Sequence, residues 1–568
     1  MENGTLFDLK SETLDAIPII NHFIKRLNLE DILEQYITYN NMHNSVSPVQ
    51  SIGILLRNII LGREPVYGLK EWTSRFAPDL FHLKSDQVEH LNDDKVGRAL
   101  EKLFDADRAS LMTEVVVNAI HEFKLELKQL HNDSTTVTFS GKYEDANGNQ
   151  KRGKKTLKIT RGNNKDHRPD LKQLLWILTV TADGAVPIHY RACDGNTTDD
   201  TTHIDTWKTL CNLVGRKDFT YVADCKLCVS DTLKYIDGEG GRFITVMPQT
   251  RSEDKWFRDY IVKNNVSWNE IRIDTNPYAK DDQPNIWRAV ESPILSAEGF
   301  RIVWYWSSQK AEHDMQARQA IMEKTIIKLE QLQTRLLSKR CRLHTREAVA
   351  EAADNILKDT DGQRWIRHEI KENVETTYRQ AKSGRPGPDT KYVAHHKTWF
   401  QVEWHPIGEN ITSDACSDGV FPLITNRENL SHKEILGKYK YQPKLEKRYE
   451  LLKTVDRVTP VLLKNATRIE ALLFVYFLAL LIQALIERQI RLGMKDTGLQ
   501  SLPIYCEERE CSAPTASRTL DAFGNLQRHY LMKNGEVKQI FDPTYTDLQG
   551  QILDLLGVPR EVYPGMVD

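Results

Sequence analysis

The feature that most limits how this chain can fold is a change of hydrophobic period near residue 129. The stretch H-N-D-S-T-T-V-T-F (131–139) alternates with a period of two and is rich in β-branched residues, which predicts a strand. Four later apolar stretches predict further strands, at 174–181, 187–191, 219–224 and 242–248. A helical pattern separates the third strand from the fourth, at 202–214. This order of elements predicts an α/β fold with a mixed sheet.

The chain before this region reads as helices. Ser47 and Pro48 suit the start of one helix and Gly62 suits its end. Residues 93–104 carry the pattern of another helix. Several short helices before an α/β body suit a module that binds DNA ends, and they suit an inert helical cap equally well.

The alternation of predicted strands and helices ends after residue 250. A lone strand at 300–306 is followed by a long helical pattern from Met322 to Leu336, and the Pro- and Gly-rich loop at 383–389 marks a subdomain boundary. Strands resume at 398–404 and 420–425. We therefore expect an insertion within the α/β body. The predicted division is a helical N-terminal domain (1–125), the first part of the body (126–250), the insertion (251–430), the second part of the body (431–495) and a tail of short helices and turns (496–568).

Composition sets limits on location and partners. The net charge of -2 excludes a uniformly basic surface, so any contact with nucleic acid must use local patches. Eight scattered cysteines favour a reducing cytoplasm, and the first ten residues lack the pattern of a signal peptide. The apolar run at 471–486 is shorter than the roughly 20 residues of a membrane span. Its flanks are charged, and we interpret it as a helix buried in a large core.

Three acidic residues stand out as candidate catalytic residues. Asp133 lies within a predicted strand, where aspartate is rare, and Asp224 ends another strand. Each is also compatible with an ordinary turn. Tyr439, Glu446 and Lys453 are spaced seven apart, close to two helical turns, so the three side chains can project from one helix face. Pro443 suits the first turn of that helix, which predicts a start near residue 442.

The order of these residues resembles the DDE transposases of bacterial insertion sequences, in the branch with a Y-x2-R-x3-E-x6-K signature and a long insertion before the glutamate. Tyr439, Glu446 and Lys453 match the signature, whereas Gln442 stands at the arginine position. Segments 132–139, 164–173, 194–199, 418–426 and 468–482 resemble further segments of that family in the same order. The resemblance covers most of the chain and implies an RNase H-like catalytic core.

The resemblance also implies a chemistry and a set of ligands. Asp133, Asp224 and Glu446 would be both the catalytic residues and the ligands of two Mg²⁺ ions, with Mn²⁺ as a substitute. The partner would be double-stranded DNA, at transposon ends and target, bound by a homodimer in a bacterial cytoplasm, near the nucleoid and away from membranes. Two alternatives remain open: a decayed relative that binds DNA without cutting it, and a nuclease of the same fold that cuts without joining.

Phosphate contacts are expected from residues near the acidic ones. Tyr439 and Lys453 flank Glu446 in the signature. The stretch 151–161 holds six Lys or Arg and no acidic residue, so Lys154 and Lys155 are candidates. Lys165 and Arg168 follow in the segment 164–173. A solvated hairpin surface explains such a basic run equally well.

Overall fold

The structure is a computed structural model that describes residues 7–39, 45–274, 284–338, 341–455 and 463–563. The chain divides into two compact units. The first unit is Met1–Thr245 with Leu436–Asp568, and the second is Val246–Ile435. That residues 251–430 are an insertion into an α/β body stays a prediction. The N-terminal helices share a unit with the α/β body.

Among its described residues, the first unit begins with one strand and six α-helices, with shorter helical turns between them. Ser47 starts the third helix as predicted: its hydroxyl accepts from the Gln50 N–H, and the Gln50 side chain accepts from the Ser47 N–H. This reciprocal capping satisfies two donors that the first turn leaves without partners. The elements are β1 (Phe7–Thr13), α1 (Ile17–Arg26), α2 (Leu29–Tyr36), α3 (Pro48–Arg57), α4 (Leu69–Thr73), α5 (Asp93–Asp105) and α6 (Arg108–Phe123).

The α/β body contains the predicted strands. Its elements are β2 (Gln129–Phe139), β3 (Gln150–Lys151), β4 (Lys154–Lys155), β5 (Lys172–Thr181), β6 (Pro187–Cys193), α7 (His203–Val214), β7 (Thr220–Ala223), α8 (Ser230–Gly238) and β8 (Arg242–Val246). Five of the strands are hydrogen-bonded in the order β6, β5, β2, β7, β8. The β6–β5 and β5–β2 pairs are antiparallel, and the β2–β7 and β7–β8 pairs are parallel. The prediction of a mixed sheet is confirmed, and β2 lies at its centre.

The second unit contains α9 (Ser252–Lys263), β9 (Asn269–Asp274), β10 (Asn285–Glu291), β11 (Arg301–Ser307), α10 (Ser308–Leu336), α11 (Arg346–Asp359), β12 (Ile366–Gln380), β13 (Tyr392–Pro406), α12 (Gly408–Ala415) and β14 (Val420–Thr425). Four of its strands are hydrogen-bonded in the order β14, β11, β10, β9, and β12 and β13 form a long two-stranded ribbon. The loop predicted at 383–389 lies in the turn of the ribbon, and the strands predicted at 398–404 and 420–425 are present.

The chain then returns to the first unit. The remaining elements are α13 (His432–Tyr439), α14 (Gln442–Glu450), α15 (Ala466–Asp496), α16 (Ala516–Asp521), β15 (Gln527–Lys533), β16 (Glu536–Phe541) and α17 (Asp547–Leu556). Helix α15 is long and apolar enough to cross a membrane, but its apolar segment is entirely buried against α3, α5, α17 and β6. It is the core helix expected from residues 471–486.

The tail differs from its prediction as short helices and turns. It also contains the strands β15 and β16, which form a three-stranded antiparallel sheet with β1. Phe7 lies opposite Lys533, more than 500 residues away in the chain. The tail strands were missed because their partner is distant, and because β16 is exposed along its whole length and lacks an alternating apolar face.

Candidate active site

Asp133 and Asp224 lie side by side on neighbouring strands. Strands β2 and β7 run parallel with His131 opposite Val222, so two residues further along each chain Asp133 and Asp224 are neighbours. Asp224 directly follows β7, and its carboxylate accepts a hydrogen bond from the Lys226 N–H at 3.0 Å. Asp133 lies in the middle of β2 rather than at its end, so the two carboxylates meet where the shorter strand β7 stops.

The two carboxylates share a poorly solvated site. Burial raises the pKa of Asp133 to about 7, and the negative charges of Asp224 and Asp199 act in the same direction. The Lys165 ammonium and a 2.7 Å hydrogen bond from the Ser134 N–H oppose that rise. Burial also raises the pKa of Asp224. Asp133 and Asp224 are therefore protonated more readily than exposed aspartates, and carboxyl groups with raised pKa values are common at functional sites.

Lys165 and Asp199 complete this group of charges. The Lys165 ammonium lies 2.8 Å from a carboxylate oxygen of Asp199 and 3.8 Å from one of Asp133. It also donates to the backbone carbonyl of Ser134 at 2.7 Å and to the Ser134 hydroxyl at 2.6 Å. Burial opposes the charge on Lys165, but Asp133 and Asp199 outweigh it and raise its pKa. Asp199 was missed as a site residue, although it ends the segment 194–199 that the family resemblance singled out.

Helix α14, which carries Glu446, is hydrogen-bonded to β2. Pro443 lies in its first turn, and the helix begins at residue 442 as predicted. The Gln442 side chain donates to the Asn132 carbonyl at 3.1 Å and bonds the His131 ring at 2.9 Å. The Tyr449 hydroxyl donates to the Asp133 carbonyl at 2.5 Å. These bonds hold the backbone carbonyls of Asn132 and Asp133, on β2, against α14.

Gln442 therefore contributes to the packing of α14 on β2. It is only 5% exposed, so it does not present its amide to a phosphate. The arginine expected from the signature would place an uncompensated charge in this buried position beside neutral His131, whose pKa burial lowers to about 4. Gln442 instead joins α14 to β2 through these two neutral hydrogen bonds.

Glu446 lies on the exposed side of α14, away from buried Leu445 and Tyr449. Tyr439 is the last residue of α13. Burial raises the pKa of the Tyr439 hydroxyl well above its ordinary value, and the charges of Asp224, Glu446 and Asp133 all contribute. Tyr439 thus lies within electrostatic range of all three predicted carboxylates.

Lys453 lies just beyond α14, and its ammonium forms a 2.6 Å ion pair with Asp166. Asp166 directly follows Lys165 in the segment between β4 and β5. Lys165 belongs to this segment and Lys453 is ion-paired to it, so two of the predicted phosphate contacts meet at the same segment.

The other predicted phosphate contacts differ in how accessible they are. The Lys154 ammonium donates to the carbonyls of Phe104, Asp105 and Ala106, where it caps the C-terminal end of α5. Arg168 forms a double hydrogen bond with Asp170. Lys155 is exposed. Among these three residues, Lys155 is the one that can meet a phosphate without giving up a contact.

Oxygen donors such as these carboxylates suit Mg²⁺. Their spacing does not yet form a coordination sphere: within the described ranges, no three His, Cys, Asp or Glu side chains are grouped so that they could hold one metal ion. The donor chemistry fits a divalent ion, whereas the positions found here do not.

Comparisons with known proteins add the following. Residues 9–117 match the family DUF4277, described as a domain of unknown function. No curated protein sequence matches the chain. Among solved structures, a piggyBac transposase synaptic complex with hairpin DNA is similar, at 9% identity over 90% of this chain and 81% of that one, with a TM-score of 0.36. Two Mos1 transposase structures, a paired-end complex with the left transposon end and a pre-cleavage transpososome, match 38% of this chain and 63% of theirs, at 10% and 11% identity and TM-scores of 0.14 and 0.13.

Proposed function

We propose that this protein is a DDE transposase with an RNase H-like core. It would bind the ends of its mobile element, hydrolyse phosphodiester bonds and join the 3'-hydroxyl ends to target DNA. The observation that carries the proposal is the placement of Asp133 beside Asp224, with the helix that bears Glu446 hydrogen-bonded to the strand of Asp133.

The proposed roles follow from position. By the chemistry of their oxygens, Asp133, Asp224 and Glu446 would hold Mg²⁺, or Mn²⁺ in its place, as two ions per site, although the three side chains are not grouped around one point among the described residues. Such ions, when bound, activate the attacking oxygen and stabilise the leaving one. Tyr439 and Lys453 would contact phosphates on either side of Glu446, and Lys155 would hold the DNA backbone beyond them. Gln442 and Tyr449 would fix the distance between the Glu446 helix and the Asp133 strand.

The proposal extends to partners and location. Joining two transposon ends to one target requires two active sites, so we propose a homodimer on double-stranded DNA. The setting would be a bacterial cytoplasm, close to the nucleoid. Two narrower functions compete with this one: a decayed relative that binds DNA ends without cutting them, and a nuclease that cuts without joining.

One assay separates these three functions. The purified chain would be incubated with a labelled duplex that carries the DNA flanking its gene, together with a plasmid target, in Mg²⁺ or in EDTA. A transposase gives Mg²⁺-dependent cleavage followed by labelled joined product. Cleavage without joined product would identify a nuclease, and binding without cleavage would identify a decayed relative.

A further inference from the structure

The ribbon β12–β13 is buried at one end and exposed at the other. Its base is buried: Ile370 and Val402 pack against helices α10 and α11, which include Leu329 and Val349. Beyond Val374, which lies opposite Thr398, the side chains of both strands are largely exposed, and Tyr378 and Tyr392 are 69% and 54% exposed. We call residues 374–398 the distal ribbon. It is a two-stranded antiparallel arm, and among the described residues of its own unit no helix or further strand covers its exposed side chains.

The distal ribbon has a charge opposite to that of the whole protein. The distal ribbon holds five Lys or Arg against Glu375 and Asp389, a net charge of +3, whereas the chain as a whole carries -2. The basic residues are Arg379, Lys382, Arg385, Lys391 and Lys397, all exposed. Exposed tyrosines and histidines lie between them. Basic residues interleaved with aromatic ones are typical of nucleic-acid surfaces.

We infer that the distal ribbon binds double-stranded DNA. The major groove admits a two-stranded β-ribbon, and the strands extend roughly 20 Å beyond Val374 at the usual rise per residue. The charge favours a polyanion over a second copy of this chain, whose net charge is close to zero. The inference adds a binding surface to the proposed function, on which it rests for the identity of its partner.

Replacing four of these residues with glutamine tests the inference. The ribbon variant carries Arg379→Gln, Lys382→Gln, Lys391→Gln and Lys397→Gln. Binding of the full chain to a labelled duplex of arbitrary sequence would be measured by fluorescence anisotropy at several salt concentrations. We expect about tenfold weaker binding, and a plot of log affinity against log salt that is shallower by about 1 for each lost phosphate contact.

A control removes the same number of charges from the same unit. It carries Lys324→Gln, Arg335→Gln, Arg346→Gln and Lys358→Gln, all exposed on α10 and α11. The control should bind as the unaltered protein does. A ribbon variant with the affinity and salt slope of the control would overturn the inference. The inference would also be overturned if the ribbon variant lost self-association in sedimentation while its salt slope for DNA binding stayed unchanged. That result would identify the ribbon as a contact between copies of the chain. Normal duplex binding by a protein that never cleaves would count against the proposed function only.

Discussion

Replacing Asp133 with asparagine, or Glu446 with glutamine, should abolish strand cleavage in Mg²⁺ while leaving the binding of duplex DNA intact. Each change removes one negative charge from the group that would hold the metal and preserves the size of the side chain. Loss of stabilisation worth several kcal/mol in the transition state corresponds to a rate lower by about 10³-fold or more. Cleavage of a labelled duplex by the full chain, followed over time, measures this effect.

Glu450→Gln is the matched control for this prediction. Glu450 lies on the same helix, α14, is exposed as Glu446 is, and is changed in the same way. It should cleave at the rate of the unaltered protein. Undiminished cleavage by Asp133→Asn or Glu446→Gln would exclude that residue from the active site, even if the protein proved to be a nuclease.

The same Asp133→Asn change should make the metal-free protein more stable at pH 8. Burial raises the pKa of Asp133 to about 7 in the folded state, against an ordinary value of 3.8. The folded protein therefore binds this proton more tightly than the unfolded chain, and the stability that Asp133 contributes is present below about pH 4 and lost as pH rises through about 7. A shift of that size corresponds to about 2 to 4 kcal/mol at pH 8, a cost that a neutral asparagine does not carry.

Denaturation in EDTA at a series of pH values tests this expectation. Asp133→Asn should unfold at a higher denaturant concentration than the unaltered protein at pH 8, and the difference should shrink steadily as pH falls towards 4. A variant that is equally stable or less stable at pH 8 would mean that Lys165 compensates the Asp133 charge fully. A functional residue can lower the free energy of unfolding of the protein that carries it. Higher stability together with lost cleavage is therefore the combination expected if Asp133 is such a residue.

Much of the α/β body was predictable because its signals are local. The alternation at 131–139 identified β2, and the apolar stretches identified β5, β6, β7 and β8 within a few residues. Pro443 identified the start of α14 because its fixed φ angle and missing N–H suit a first helical turn. Such signals depend on neighbours in the chain, which the sequence displays directly.

The parts that were missed depend on distant partners. Strands β15 and β16 exist because β1, at the other end of the chain, supplies a hydrogen-bonding edge. Lys154 reads as part of a basic run, yet its ammonium caps a helix some 50 residues earlier. Whether a lysine meets solvent or a carbonyl is decided by packing that no local pattern records.

For the candidate site, the sequence by itself determined which residue types stand where: two aspartates at strand positions, and a tyrosine, a glutamate and a lysine at helical spacing. Only the tertiary structure decided that β2 and β7 are parallel neighbours, that Gln442 and Tyr449 join α14 to β2, and that Lys165 and Asp199 enter the group. The physical reason is the range of the forces. Helix and strand preferences act over a few residues, whereas ion pairs and strand pairing act between any residues that the fold brings within a few ångströms.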